Sequence, residues 1–237
     1  MTRTPNHQTG DIAAPSGQAA QPRREPVTRG RIIQAALRIM DEDGLDAVSM
    51  RRVGRELGVE AMSLYNHVRD KEDILDGICE HVLSEFHVPR AEGWTEAARL
   101  AAHEYRRLLL AHPTVIMLMT GRKRPFTNPD SLRAYEFALG VFRSAGLSEA
   151  DSVKAFHVFG GFILGFVTME LGLMVGGPDD AEHARAHQEM VRLVETADLP
   201  RFREALPYFA ECDVEGQFEF GLDLLIDGLK TRIAAQG

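Results

Sequence analysis

Three short amphipathic segments near the N-terminus, each with its own start and stop signal, constrain the fold of this chain most strongly. The first follows Thr28, a residue type that caps helices, and stops at Gly44. The second follows Ser49 and runs only about two turns before Gly58, and a third is predicted over 60–67. Helices this short are not stable alone in water, so they must pack against one another.

A longer fourth helix is predicted from Asp70, with an apolar stripe that ends at Phe86. The helical period continues beyond it, and no segment alternates like a strand. Further helices are predicted at about 94–111, 114–120, 129–145, 149–176, 182–197 and 213–235, with Pro207 among the residues that separate them. The sequence therefore predicts an all-α fold.

Two short helices joined by a tight glycine-containing turn are typical of a helix-turn-helix. In that unit the second helix braces the third, whose outer face enters the major groove. Arg51, Arg52 and Arg55 would supply charge for phosphates. Many helix pairs with the same spacing bind no DNA, so spacing alone leaves both interpretations open.

The charge of the chain is divided unevenly along its length. Residues 1–71 carry 11 lysines and arginines against 9 acidic residues, whereas the whole chain has a net charge of -8. An acidic surface repels phosphate, so any contact with DNA is confined to the first third. Residues 1–24 lack apolar periodicity and are predicted to form a disordered tail.

Several other classes of protein find little support in the sequence. Cys79 and Cys212 have no paired spacing, which argues against a disulfide framework or a cysteine metal site. His183 and His187 beside Glu182 lack a third ligand, so no metal site and no cofactor are predicted. No catalytic motif is present, and the longest nearly uncharged run is shorter than the ~20 residues that span a membrane. We expect a soluble cytoplasmic protein that is not an enzyme.

Residues 28–75 resemble the N-terminal domain of the TetR family of transcriptional regulators nearly end to end. The matching stretches are IQAAL at 33–37, GLDAVSMRRV at 44–53, LGV at 57–59, LYNHV at 64–68 and KEDIL at 71–75. The LYNHV element resembles the tetracycline-repressor branch more than the family at large. The resemblance covers about a fifth of the chain.

This resemblance implies a homodimeric, ligand-responsive repressor that binds a palindromic operator and is released by a small molecule. It implies a helix-turn-helix domain at 25–71 and an effector-binding and dimerisation domain at 72–237. The positions that match DNA-contacting residues of the family are Thr28, Arg29, Ser49, Met50, Arg51, Arg52, Met62, Ser63, Tyr65, Asn66, His67 and Lys71. An all-α enzyme or small-molecule carrier with an incidental helix-turn-helix is one alternative, and an interaction protein that binds another regulator through the same helices is a second.

Two segments of the body, 149–176 and 213–235, are apolar around more of their circumference than one core contact requires. Two such helices from each subunit would form a four-helix bundle, which is the usual dimer interface of the family. Burial of both within one protomer is the alternative. Gly160, Gly161 and Gly165 are predicted to permit close helix packing.

An effector cavity is predicted among the helices between these elements. Its candidate residues are histidines, aromatic residues and methionines: His87, Trp94, His103, Tyr105, Met117, Met119, Phe126, Phe137, Phe156, His157 and Phe159. The position of His87 resembles that of a drug-contacting histidine in the tetracycline repressor. The segment matching that repressor's metal-binding histidine, 115–119, reads VIMLM and offers magnesium no ligand. We therefore expect a different, largely apolar effector.

Overall fold

The computed structural model describes residues 26–121, 128–172, 180–209 and 213–235, and within these ranges it contains helices and no strands. The predicted N-terminal tail and Phe126 lie outside the described residues. The helices are α1 (Arg29–Asp43), α2 (Met50–Leu57), α3 (Ala61–Leu64), α4 (Lys71–Ser84), α5 (Trp94–Ala111), α6 (Pro113–Gly121), α7 (Arg133–Ser144), α8 (Glu149–Glu170), α9 (Asp180–Thr196), α10 (Pro200–Phe209) and α11 (Val214–Ala234). The predicted all-α fold is confirmed.

The three predicted N-terminal caps form as the residue types require. The side chains of Thr28, Ser49 and Asp70 each accept a hydrogen bond from the backbone N–H three residues later, at 3.3, 3.2 and 2.8 Å. Gly58 ends α2 with φ 68°, a left-handed conformation that glycine adopts without strain. Local chemistry alone therefore fixes where α1, α2 and α4 begin.

The first four helices share one hydrophobic core with part of α6. Ile32 and Met40 of α1, Leu64 of α3 and Ile78 of α4 are fully buried in it, and Val115 of α6 joins them. The DNA-binding unit predicted from sequence therefore rests on a helix of the following body. It is not an isolated bundle.

A second core lies among α5, α7, α8 and α11. Its largest fully buried side chain is Phe218, which packs against Phe162 and Phe166 of α8. Met119 of α6 is half-buried and packs against both cores. It therefore provides a direct contact between the two parts of the molecule.

Several predicted helix boundaries differ from the structure. The segment 60–67 is α-helical only from Ala61 to Leu64 and then tightens, since the N–H groups of Tyr65 and His67 bond carbonyls three residues earlier. The helix whose apolar stripe was predicted to reach Phe86 is α4, and it ends at Ser84. The segment 129–145 begins as a 3-10 turn over 129–132 before α7 starts.

The prediction that Pro207 interrupts the helices was wrong. Residues 200–209 form α10, with Pro207 in its last turn. Pro207 has no N–H to bond the carbonyl of Arg203, and α10 ends two residues later, at Phe209. The predicted helix 149–176 ends at Glu170, with a turn at 171–172, and 173–179 lie outside the described residues.

The helices α8 and α11 carry a wide apolar surface that the protomer does not bury. Val158 and Met169 on α8 and Phe220 and Leu224 on α11 are each at least 53% exposed. By length and composition α8 could cross a membrane, a test that core helices of water-soluble proteins also pass. Only 28% of its most apolar stretch is buried in the protomer. A large exposed apolar surface of this kind marks an interaction site.

Candidate DNA-binding surface and effector cavity

One face of α3 is buried and the other is open to solvent. Leu64 is fully buried and Val68 is 3% exposed, so these two side chains anchor the segment to the first core. Met62 is 75% exposed, and Tyr65 and Asn66 are also exposed. Side chains on such a face are free to meet base edges and phosphates when the helix lies in the major groove.

The other residues predicted to contact DNA differ in how far their side chains are exposed to solvent. His67 is exposed, while Ser63 and Lys71 are half-buried. Arg51 is exposed on α2, and within the described residues no ion pair engages it. Met50 packs partly against the first core, so only part of its side chain is available to a ligand.

Arg52, in contrast, is already engaged. Its Nη2 donates to Oδ2 of Asp43 at 2.7 Å, which links α2 to the end of α1. Thr28 and Ser49 are exposed residues that use their hydroxyl oxygens as helix caps. A phosphate at either helix start would meet the first backbone N–H groups of the helix beside a hydroxyl.

Arg29 binds α4. Its Nη2 lies 2.9 Å from Oδ1 of Asp73, whose side chain is 9% exposed. Burial raises the pKa of the Asp73 carboxyl, but hydrogen bonds from Arg29 and Arg69 outweigh that effect and hold the pKa below its usual value. The structure thus gives Arg29 a structural partner at the position where sequence reasoning predicted a DNA contact.

Gly54 is a structural residue of this unit that sequence reasoning did not single out. A Cβ at this position would lie 2.9 Å from the carbonyl oxygen of Val59 and 3.2 Å from the backbone N of Ala61. Only glycine lets α2 approach the turn and α3 this closely. A glycine in the middle of an eight-residue helix was the available signal, because it weakens a helix unless packing requires it.

A cavity of about 420 Å³ lies between the end of α4 and helices α5 to α8. Its wall is mostly aromatic and aliphatic. The lining residues are Leu83, Phe86, Ala98, Ala101, Ala102, Tyr105, Met119, Ala134, Tyr135, Ala138, Val141, Phe142, Phe156, His157, Phe159, Gly160, Gly161, Ile163 and Leu164. Its size and apolar wall are those of a small-molecule site.

Five of the predicted cavity residues are brought together in this wall. Tyr105 and Met119 line it from α5 and α6, and the Tyr105 hydroxyl donates to Sδ of Met119 at 3.6 Å. Phe156, His157 and Phe159 line it from α8. They occupy one face of that helix, while Val158 lies outside the cavity and exposed.

Other predicted residues lie elsewhere. His87 is 81% exposed at its side chain, and its backbone N–H donates to Oε1 of Glu104, 2.9 Å away. Hydrogen bonds from Arg107, with those from His87, lower the pKa of Glu104 to about 2. Met117 is exposed outside the cavity. We expected His87 to contact the effector, but in the structure its side chain is exposed to solvent outside the cavity.

Trp94 and Phe137 are half-buried and pack against the second core without lining the cavity. Phe137 instead contacts Phe86, with ring centroids 6.3 Å apart. It is Phe86, one residue before His87, that enters the cavity wall. The backbone leaves α4 after Ser84, so Phe86 and His87 lie beyond the helix and its phase does not set which of them faces the cavity.

His103 faces α11 rather than the cavity. Its Nε2 lies 2.5 Å from Oε1 of Glu219, and its ring packs edge-on against Phe218. His103, Glu215 and Glu219 are close enough together to hold a metal ion. Each of these carboxylates, however, is already bonded by an arginine of α5: Arg106 binds Glu215 and Arg99 binds Glu219. The arrangement is therefore that of an ion-pair network joining α5 to α11.

Arg106 is the centre of this network. It is 9% exposed and donates two hydrogen bonds to Glu170 at the end of α8, at 2.8 and 2.9 Å. The pairing with Glu170 raises the pKa of the guanidinium above its usual value. Its Cζ also lies 4.7 Å from the ring centroid of Phe218. The network fixes one side of α5, and an adjacent side of the same helix lines the cavity.

Tyr135, Gly160 and Gly161 line the cavity without having been predicted to do so. The glycines were predicted to permit close helix packing, but a Cβ at Gly160, Gly161 or Gly165 would meet no described atom within 4 Å. The first two leave space for the cavity instead. A missing side chain gives no sequence signal that separates these two uses.

The fold and the two sites define a helix-turn-helix protein with a ligand cavity in an α-helical body. Two family models match the chain. Residues 32–78 match the first model, which is described as bacterial regulatory proteins, tetR family. Residues 88–233 match the tetracyclin repressor-like C-terminal domain. The chain belongs to the TetR family of transcriptional regulators.

Relatives and solved structures agree with this assignment. The chain is 30% identical to the HTH-type transcriptional repressor DrrR1 of Streptomyces coeruleorubidus, over 90% of this chain and 82% of the relative. It is 32% identical to the class A tetracycline repressor protein from transposon 1721 of Escherichia coli, over 85% and 89%. The crystal structure of apo ActR from Streptomyces coelicolor superposes with a TM-score of 0.76, at 26% identity, and covers 90% of this chain and 99% of that one. ActR in complex with actinorhodin gives a TM-score of 0.75 at 28% identity, over 86% and 95%.

Proposed function

We propose that this protein is a cytoplasmic, dimeric transcriptional repressor that binds an inverted-repeat operator and leaves it when a small, largely apolar molecule enters the cavity. The observation that carries this proposal is the position of α4. It begins at Lys71, one of the residues that match DNA-contacting positions of the family, and its next-to-last residue, Leu83, lies in the cavity wall about 18 Å further along the helix. One rigid element therefore touches both sites.

A second route joins the same two sites through α6. Met119 lines the cavity, while Val115 and Leu118 of the same helix are buried against α1 and α4 in the first core. At the start of α6, the Thr114 hydroxyl donates to Asp41 of α1 at 2.9 Å. A ligand that displaces Met119 would therefore act on the helices that position α3.

The proposed dimer forms through the exposed apolar faces of α8 and α11. Val158 and Met169 recur on one side of α8, and Phe220 and Leu224 are one turn apart on α11. Pairing two copies along both helices would bury these side chains in a four-helix bundle. The two α3 segments would then lie on one side of the dimer, as reading two half-sites about one DNA turn apart requires.

The relatives support the repressor assignment and the presence of an effector. DrrR1 and the class A tetracycline repressor are both named as repressors, and ActR has been crystallised with actinorhodin. The wall of the cavity supports a largely apolar effector. The segment 115–119 argues against a tetracycline–magnesium complex, because its residues Val115, Ile116 and Leu118 are buried in the core and provide no metal ligand.

Selection of bound duplexes from random-sequence DNA tests the proposal. The purified full-length protein is expected to enrich an inverted repeat with half-sites centred about one turn apart. The variant Tyr65→Ala is expected to relax the enriched sequence, since Tyr65 lies on the exposed face of α3. Recovery of a library no different from the input would contradict the proposal.

A further inference from the structure

The cavity wall contains many aromatic rings and no charged side chain among its described lining residues. The rings come from Phe86, Tyr105, Tyr135, Phe142, Phe156 and Phe159. Much of the remaining wall is alanine and glycine from α5, α7 and α8. Aromatic side chains favour offset or edge contacts with another ring, and small side chains leave room for a flat surface. A fused aromatic ring system fits this wall, and an ionised group would find no counter-charge in it.

His157 adds a hydrogen-bonding group of defined polarity. Its Nδ1 lies 2.8 Å from the carbonyl oxygen of Val153, one turn earlier on α8. A carbonyl oxygen only accepts, so the proton must be on Nδ1. In the neutral imidazole Nε2 then has no proton and accepts a hydrogen bond. Among the described residues no donor is bonded to Nε2, and the ring lines the cavity.

We infer that the effector is a fused aromatic molecule with a phenolic hydroxyl, which donates a hydrogen bond to Nε2 of His157. This inference deepens the proposed function, since it rests on this cavity being the effector site. In the neutral imidazole this bond leaves Nε2 as the acceptor, so the ring favours ligands that offer a donor. A cavity of about 420 Å³ lies at the lower end of the range for drug-sized ligands and accommodates a few fused rings.

Three fluorescent probes that share one ring system test this inference by direct binding, without DNA. They are 1-hydroxypyrene, 1-methoxypyrene and pyrene, of which only the first has a hydroxyl donor. The wild-type protein is expected to bind 1-hydroxypyrene about three- to tenfold more tightly than either of the others, as one net hydrogen bond provides. 1-Methoxypyrene is larger than 1-hydroxypyrene and pyrene is smaller, and neither has a hydroxyl donor. Comparing all three therefore separates the hydrogen bond from an effect of size.

Variants of the protein assign that preference to one atom. His157→Phe retains a ring without an acceptor and is expected to bind all three probes about equally. His157→Gln is expected to restore part of the preference, because its amide oxygen accepts. His87→Phe is the matched control at a histidine outside the cavity, and we expect it to retain the wild-type preference. Gly160→Leu places a side chain in the cavity, and we expect it to weaken binding of all three probes.

Three outcomes would overturn the inference: equal affinity for the three probes in the wild-type protein, a preference that survives His157→Phe, or no binding of any of them. Each of these would leave the DNA-binding proposal standing, because the selection from random DNA contains no probe. Conversely, a protein that prefers 1-hydroxypyrene through His157 but selects no DNA sequence would retain the ligand assignment and refute the repressor. The two failures are therefore distinguishable.

Discussion

Nη2 of Arg29 lies 2.9 Å from Oδ1 of Asp73, and this ion pair joins the first turn of α1 to the first turn of α4. The carboxylate is largely buried, so its charge depends on the hydrogen bonds that surround it. The arginine that resembles a DNA-contacting residue therefore also aligns two helices of the DNA-binding unit. Its substitution should affect stability as well as DNA affinity.

Replacing the carboxylate tests this structural role. Asp73→Asn is expected to lower the free energy of unfolding by about 1–3 kcal/mol at pH 7, measured by urea denaturation. The pKa of Asp73 is lowered in the folded protein, so its charge stabilises the fold above the unfolded pKa of about 3.9. That contribution is lost as the pH falls through the folded pKa. The difference between the two proteins should therefore shrink below about pH 4, and a difference that grows there would contradict this assignment.

Arg51 should act on DNA through charge alone. It is exposed, and no ion pair engages it within the described residues. Arg51→Ala is expected to weaken binding to all duplexes alike and to reduce the slope of log K against log salt by about 1, measured by fluorescence anisotropy. Arg133→Ala, at an exposed arginine on α7, is the control and should leave the slope unchanged. An unchanged slope in the Arg51 variant would remove this residue from the interface.

Gly54 and Gly140 give opposite predictions for the same substitution. A Cβ at Gly54 would press on the backbone at Val59, whereas at Gly140, an exposed position within α7, it would meet no described atom within 4 Å. Gly54→Ala is expected to destabilise the protein by about 1–3 kcal/mol and to weaken DNA binding. Gly140→Ala should stabilise it by about 0.5–1 kcal/mol, because alanine favours a helix. Thermal unfolding of both variants checks this pair, and a harmless Gly54→Ala would refute the close approach.

Leu224 tests the proposed dimer. Leu224→Glu places a charge on the apolar face of α11 and is expected to yield monomers in light scattering coupled to size-exclusion chromatography. Leu193→Glu is the matched control, since Leu193 is similarly exposed on α9. That variant should keep the wild-type oligomeric state. A dimer that persists in the Leu224 variant would place the interface elsewhere.

Sequence reasoning succeeded where the cause of the structure is local. Thr28, Ser49 and Asp70 cap their helices through hydrogen bonds that span three residues, so the residue types alone indicate the helix starts. The exposed face of α3 follows in the same way, because Leu64 must be buried. The shortening of α3 at Tyr65 was not predictable, since the backbone tightens there to bring the chain to α4.

The cavity depends on long-range packing, and there some of the predicted residues line the cavity while others lie elsewhere. Tyr105 and His103 lie two residues apart on α5, yet one lines the cavity and the other binds Glu219 of α11. Both look alike in sequence, because either side of this helix contacts an apolar neighbour. His87 was named from its resemblance to a drug-contacting histidine, whereas the structure places its neighbour Phe86 in the cavity wall. The choice between such neighbours requires the relative positions of the helices.

The coupling of cavity and DNA is the central claim, and one titration tests it most directly. Wild-type protein bound to the duplex recovered by selection is titrated with 1-hydroxypyrene, with Gly160→Leu as the control. A ligand shifts the protein away from DNA only if it prefers the conformation that does not bind. We expect at least about a tenfold loss of DNA affinity in the wild-type protein and no loss in the variant. DNA affinity that stays unchanged while probe fluorescence shows the cavity to be saturated would contradict the account.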